Sequence, residues 1–207
     1  MSDLFLLLMK FEPDHIYHVF NQGNNKQQLF HTRDDYKKFI SFIRDYILPY
    51  ADIVSWCLLP NHFHIMLVAK FDSGEFVKSG NLRFDPLTNG VRKLISGYSH
   101  YFNDKYNRSG ALFRPKTKAK DLSDERLRFK EEDYLLNCFY YILQNPLRHG
   151  LVKDLAEWEF SAFRFYAGLR EHDFCSKEIV RLVCEYDEKR FPELVMGRMP
   201  DYLLDDY

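Results

Sequence analysis

The sequence has few of the features that mark several large protein classes. Its four cysteines lie far apart and none forms a CxxC pair, which argues against a structural zinc site and favours a reducing compartment. The apolar run at 4–9 is too short to cross a membrane and follows Asp3 rather than basic residues. We therefore expect a soluble cytoplasmic protein without a signal peptide and without a membrane partner.

Net charge is also nearly absent, at −1 for 207 residues, but the charges are unevenly distributed. Residues 91–130 hold eleven Lys or Arg against four Asp or Glu. A local basic stretch of this kind indicates a polyanionic partner, although a solvated helix face has the same composition.

The hydrophobic pattern predicts an α+β chain with the order strand, helix, strand, strand, helix, strand and a further helix. This order is the ferredoxin-like βαββαβ plan, an antiparallel sheet with helices on one face, here followed by a further helix and a C-terminal helical tail. We expect a domain at 1–170 and a helical appendage at 171–207. The predicted strands are 14–20, 52–59, 62–69 and 111–119, the helices are 33–48, a segment around 91–102 and 131–145, and 71–87 is predicted as a loop.

Two histidines flank one apolar residue in the third predicted strand. Because side chains alternate along a strand, His62 and His64 share one face, while Phe63 points to the core. The opposite sheet face, which carries the histidines, is expected to stay open. Two adjacent imidazoles can supply two ligands of a metal ion, but they can also be hydrogen-bonded surface histidines.

Tyr141 and Asn145 lie four residues apart on the last predicted helix and so share a face. Asn145 directly precedes Pro146, so it could be a helix cap, or its amide oxygen could complete a metal site with the histidines. Tyr141 would then stand beside the metal, although most aromatic residues on helices belong to the core.

These motifs carry a family resemblance. The His62-Phe63-His64 unit resembles the His-hydrophobic-His signature of HUH nucleases, and Tyr141 to Val152 resembles the catalytic helix of REP-associated tyrosine transposases in the insertion-sequence-200-like group. Segments 17–24, 112–116 and 158–163 also resemble that group, so the resemblance covers roughly 13–168. Gln22 departs from it, because this position usually carries Arg.

The resemblance implies a metal-dependent transposase or endonuclease that cleaves and rejoins single-stranded DNA through a 5′-phosphotyrosine intermediate. Tyr141 would be the nucleophile, and His62, His64 and Asn145 would bind Mg²⁺ or Mn²⁺. Hairpin-containing single-stranded DNA would be the partner, and a homodimer is compatible with the family. The implied DNA-binding residues are Arg92, Lys93, Lys105, Arg108, Arg114, Lys116, Lys118 and Lys120.

Two other functions fit the same motifs. A catalytically silent DNA- or RNA-binding protein of this fold would keep the basic stretch without chemistry. A zinc hydrolase would add a third histidine, such as His18 or His100, to the strand pair.

Overall fold

The computed structural model describes residues 10–70, 77–79, 82–123, 134–184 and 186–197. The strands are β1 (Ile16–Gln22), β2 (Ala51–Leu59), β3 (His62–Ala69), β4 (Val77–Ser79), β5 (Leu82–Phe84) and β6 (Lys118–Asp121). The helices are α1 (Arg33–Tyr46), α2 (Pro86–Lys105), α3 (Tyr134–Arg148), α4 (Phe163–Tyr166), α5 (Lys177–Cys184) and α6 (Phe191–Val195). The apolar segment at 4–9 lies outside the described residues.

The central sheet confirms the predicted α+β, ferredoxin-like plan. Four antiparallel strands lie in the order β2-β3-β1-β6, so β1 and β3 occupy the middle. Strands β4 and β5 pair separately within the segment that the sequence predicts as a loop, and α2 begins at Pro86, where Asp85 caps it. The loop prediction is therefore wrong for the described part of that segment.

Helices α1 and α2 cover the sheet face that carries Phe63. Phe39 of α1 packs against Phe63 with ring centroids 5.1 Å apart, and Tyr98 of α2 packs edge-on against Phe39 at 5.0 Å. Asp35 joins the two helices, because its buried carboxylate accepts hydrogen bonds from Lys105 and Tyr106. Burial alone would raise the pKa of Asp35, but these hydrogen bonds and those from backbone amides hold it well below its usual range.

Helix α3 covers the opposite face, so the expectation of an open face around the histidines is wrong. The Tyr141 ring stands at 88° to the His64 ring, with centroids 5.5 Å apart. This face carries buried apolar side chains as well, including Phe20, Cys57 and Met66. It therefore needs a cover of its own, and an amphipathic helix supplies it.

Helix α3 continues past Pro146 and ends at Arg148, whereas the sequence predicts an end at 145. Proline removes one backbone donor, but hydrogen bonds on its C-terminal side still close the last turns, from His149 N to Asn145 O and from Leu151 N to Pro146 O. Gly150 then adopts a φ of 66°, the left-handed conformation that ends many helices. Asn145 is consequently an interior helix residue and not a cap.

Two strand boundaries also differ from the prediction. The first strand begins at Ile16 rather than 14, because Asp14 has a φ of 62° and cannot extend it. The fourth strand of the sheet is Lys118–Asp121 rather than 111–119. Pro115 lacks the amide that a ladder requires, so the preceding residues form a loop in which Phe113 makes an isolated bridge to Gly23.

The described part of the C-terminal region packs on the rest of the chain. The Gln144 amide of α3 donates hydrogen bonds to the carbonyls of Val195 and Gly197, and the Tyr186 hydroxyl donates to the Tyr166 carbonyl at 2.7 Å. The division at 170/171 stays a prediction. Within the described ranges, no helix combines the length and apolar character that crossing a membrane requires.

Candidate functional site

His62 and His64 lie at the centre of the sheet, on its α3 face. Their ring centroids are 5.2 Å apart, and the rings are nearly perpendicular at 84°. Both side chains are buried, with exposed fractions of 2% and 0%. The two histidines are thus core residues of β3, and the interpretation as surface histidines is excluded.

Helix α3 brings Tyr141 and Asn145 to the same place. Tyr141 packs edge-on against His64, and it does so within one chain, so this tyrosine lies beside its own histidine pair. The Asn145 amide nitrogen donates to the Tyr141 carbonyl at 2.8 Å. The guanidinium of Arg148 lies 5.7 Å from the centre of the Tyr141 ring. This separation lies within the range of a cation–π contact.

The hydrogen bond of His62 orients its imidazole. Its Nδ1 lies 2.6 Å from the Asn61 side-chain oxygen, which can only accept, so Nδ1 carries the hydrogen and Nε2 carries the lone pair. Asn145 Oδ1 is buried and makes no hydrogen bond of normal geometry among the described residues. Burial lowers the pKa of His62, and the Asn145 amide lies close enough to its imidazole to oppose part of that decrease.

His18 of β1 lies directly behind His64. The Nε2 of His18 and the Nδ1 of His64 are 2.8 Å apart, and both rings are almost fully buried. If His64 offers Nε2 to a cation, its Nδ1 must donate to His18. The sequence offers His18 as an alternative zinc ligand, and the structure places its ring behind His64, with its Nε2 directed at that imidazole.

Burial keeps these histidines neutral. It lowers the pKa of His18 to about 3, with a smaller contribution from the charge of Lys120. It lowers the pKa of His62 to about 3 and that of His64 well below its usual range, and neighbouring imidazoles add to the effect. Neutral imidazoles are the form that binds metal ions.

A cavity of about 340 Å³ opens beside His62. Lys26, Asn61 and His149 line it together with His62, and the rings of His149 and His62 lie 4.8 Å apart. His149 lies one turn beyond Asn145 on the same helix face, a spacing that could have indicated it from sequence. The cavity gives solvent a route to the edge of an otherwise buried cluster.

The predicted DNA-binding residues occupy different places. Lys118 and Lys120 lie opposite Phe20 and His18 in the β1–β6 ladder, on the face of the histidines. Lys118 lies 5.3 Å from the centre of the Phe20 ring, which stacks on His18. Arg114 lies beside the end of β1, where its backbone amide donates a hydrogen bond to the Gln22 carbonyl at 2.9 Å.

The remaining basic residues lie outside the four-stranded sheet that carries the histidines. Arg92 and Lys93 belong to α2, on the other sheet face, and Lys105 of the same helix pairs with Asp35 at 2.6 Å. Arg108 donates to Asn103 and Gln27. Lys116 is exposed between Arg114 and β6. The DNA-binding role of all eight residues stays a prediction.

The donor set fits a divalent cation of intermediate hardness. It combines two neutral imidazoles with a buried amide oxygen that lacks a regular hydrogen bond. The described ranges contain no cluster of three or more His, Cys, Asp or Glu residues arranged to hold a metal ion. This absence disfavours the zinc hydrolase, because His100 is exposed and contacts the Ser96 carbonyl, while His18 is hydrogen-bonded to His64.

Comparison with known proteins gives one informative result. No family model and no curated protein matches the chain. Among solved structures, it is similar to a REP-associated tyrosine transposase bound to a REP hairpin. The two share a fold. The TM-score is 0.54, with 19% sequence identity over 81% of this chain and 88% of that chain. At this identity the likeness establishes the architecture, and any activity must be argued from the site.

Proposed function

We propose that this protein is a metal-dependent transposase-like nuclease that cleaves and rejoins single-stranded DNA through a tyrosine-linked intermediate. The observation that carries the proposal is the contact of Tyr141 with His64 at 5.5 Å, with Asn145 one helical turn away beside His62. The fold shared with a hairpin-bound tyrosine transposase supports it.

Tyr141 acts as the nucleophile in this proposal. Its hydroxyl oxygen forms a bond to the scissile phosphorus, the bond from phosphorus to the 3′ oxygen breaks, and the proton of the tyrosine ends on that 3′ oxygen. The products are a 5′-phosphotyrosine and a free 3′-OH. Because the reverse reaction has the same form, another 3′-OH can rejoin the strand without an energy-rich cofactor.

His62, His64 and Asn145 hold Mg²⁺ or Mn²⁺ in this proposal. A bound cation stabilises the charge that develops on the phosphate oxygens. The chain's own contribution is to fix the three donors on two rigid elements, β3 and α3, before DNA arrives.

The partner that fits this site is single-stranded DNA beside a hairpin. Lys118 and Lys120 border the histidines on β6, where they can pair with phosphates, and hairpin DNA is bound by the transposase of the same fold. A cytoplasmic location and a homodimer belong to the same proposal.

The test is formation of a covalent adduct. Wild-type protein is incubated with labelled, hairpin-containing single-stranded DNA and Mn²⁺, and denaturing electrophoresis reveals labelled protein. Tyr141→Phe should abolish the adduct. Tyr140→Phe is the matched control, because Tyr140 is equally buried but packs toward Phe191, and it should keep the adduct. An adduct in Tyr141→Phe would reject this tyrosine as the nucleophile.

One observation favours the catalytically silent alternative. Tyr141 exposes 4% of its surface, so a phosphate reaches it only if neighbouring side chains move. A silent binding protein of this fold would bind DNA in a salt-dependent manner, with equal affinity in His62→Ala and His64→Ala, and would form no adduct with any divalent metal ion.

A further inference from the structure

Gln22 lies beside the candidate metal ligands, although the resemblance gives it no role there. It is the last residue of β1 and pairs directly with His62 across the β1–β3 ladder. Directly opposed residues in an antiparallel pair project from the same sheet face, so the two side chains are neighbours. Gln22 is 8% exposed, which places its amide inside the protein.

The side-chain oxygen of Gln22 has an unusual environment. It is buried and has no hydrogen-bond partner among the described residues, a condition it shares with Asn145 Oδ1 on α3. A buried acceptor without a donor destabilises the folded state, so such a group commonly marks a place where a ligand or an ion binds. Both amides lie next to His62, Gln22 by strand register and Asn145 by its effect on the pKa of that imidazole.

The two buried amide oxygens indicate which kind of ligand can bind between them. The buried atom without a partner is in each case the amide oxygen, an acceptor, which cannot pair with a phosphate oxygen, an acceptor too. A divalent cation satisfies amide oxygens and the lone pair of a neutral imidazole together. A donating water molecule would satisfy the two oxygens as well, so measured binding of Mn²⁺ decides between a cation and water.

We propose that Gln22 is a fourth protein ligand, so that the site is formed by His62, His64, Asn145 and Gln22. This inference rests on the proposed function and deepens it. Two nitrogen and two neutral oxygen donors suit Mn²⁺ better than Mg²⁺, which prefers oxygen, and better than Zn²⁺, which has four nitrogen or sulfur donors in most structural sites.

The experiment measures Mn²⁺ binding to the DNA-free full-length protein by isothermal titration calorimetry. Gln22→Met keeps the side-chain length without an oxygen and should weaken binding by at least about tenfold, the lower bound known for residues that support metal sites. Gln22→Glu supplies a charged oxygen and should tighten binding. Gln28→Met and Gln28→Glu, at an exposed position near the cavity, should leave the affinity close to that of wild type.

A second measurement separates a ligand from a structural residue. Because Gln22→Met removes a buried acceptor without a partner, the metal-free variant should unfold at the same or a higher urea concentration than wild type. The inference is overturned if Gln22→Met binds Mn²⁺ as tightly as wild type does. It is also overturned if the wild-type protein binds no Mn²⁺, because water then fills the site.

The outcomes also distinguish this inference from the proposed function. If wild type forms the DNA adduct while the Gln22 variants bind Mn²⁺ normally, the fourth ligand is wrong and the nuclease stands. If Gln22→Met weakens Mn²⁺ binding but no adduct forms, the metal site stands and the nuclease is wrong.

Discussion

His18 shows how a residue without a direct role can define a site. The 2.8 Å contact links the tautomers of the two rings, because a His64 that keeps Nε2 free of hydrogen must donate from Nδ1 to His18. A change at His18 therefore acts on metal affinity through the tautomer of another side chain.

We expect His18→Leu to lower the Mn²⁺ affinity of the protein by about 10- to 100-fold, the range found when an outer partner of a metal-binding histidine is removed. His18→Gln can still accept from His64 and should recover part of the loss. His100→Leu, at an exposed histidine of α2, should bind Mn²⁺ like wild type. Equal calorimetric affinities in all three variants would contradict the role of His18.

The sequence was informative for residues whose relation is local. His62 and His64 share a face by strand alternation, and Tyr141 and Asn145 share one by helical spacing, so both pairs could be predicted. His18 and Gln22 approach the histidine pair only through the register of β1 against β3, which pairs residues 40 to 52 positions apart. No local pattern encodes that register, so the sequence offers His18 only as an alternative zinc ligand and assigns Gln22 no role.

At the scale of elements, the end of α3 is the part that a sequence pattern predicted least well. A proline suggested a stop, but the capping structure at Gly150 extends the helix and places Asn145 in its interior. The local pairing of β4 with β5 is not predicted either, because three-residue strands carry too little periodicity to be recognised. Helices α1 and α2 were predicted because their apolar faces are long.

Two glycine substitutions should change stability in opposite directions. Gly150→Ala should lower the unfolding free energy by about 1 kcal/mol, because alanine is strained at a φ of 66°. Gly97→Ala, inside α2, should raise it by about 0.5–1 kcal/mol, since the new methyl group meets Phe42 at an ordinary 3.6 Å. Urea denaturation measures both, and shifts of the same sign would show that one of the backbone arguments is wrong.

The lysines of β6 allow a prediction about the salt dependence of DNA binding. The affinity for single-stranded DNA falls as the salt concentration rises, and the slope of log affinity against log salt concentration reflects the number of phosphate contacts. Lys118→Ala should reduce the magnitude of this slope by about one, because one phosphate contact is lost. Lys37→Ala, at an exposed lysine of α1, should leave the slope unchanged. Fluorescence anisotropy across a salt series gives both slopes, and equal slopes for Lys118→Ala and wild type would remove Lys118 from the interface.

For the molecule as a whole, we expect the buried histidines to lower the unfolding free energy in mild acid. An unfolded histidine has a pKa near 6.5, whereas His18 and His62 have folded-state pKa values of about 3. Between these values the unfolded chain binds protons that the folded chain excludes. The unfolding free energy should therefore fall as the pH drops below about 6.5, by about 1.4 kcal/mol per pH unit for each such histidine.

Urea denaturation at a series of pH values measures this dependence. His18→Leu should show a shallower decline than wild type, while His172→Ala, which removes an exposed histidine, should follow the wild-type curve. Asp35 contributes in a lower range, because its depressed pKa means that stability is lost as the pH falls below 3.8. A flat profile between pH 4 and 6.5 would exclude the buried neutral cluster as the cause.

The candidate ligands come from both ends of a long stretch of chain, with His62 and His64 on β3 and Asn145 on α3. During synthesis, the two central strands leave the ribosome well before the helix that carries Tyr141. A nascent chain therefore exposes half of the site for as long as the intervening residues take to be made. A ribosome that stalls before residue 141 releases a product that lacks Tyr141 and cannot form a covalent link to DNA in the way proposed here.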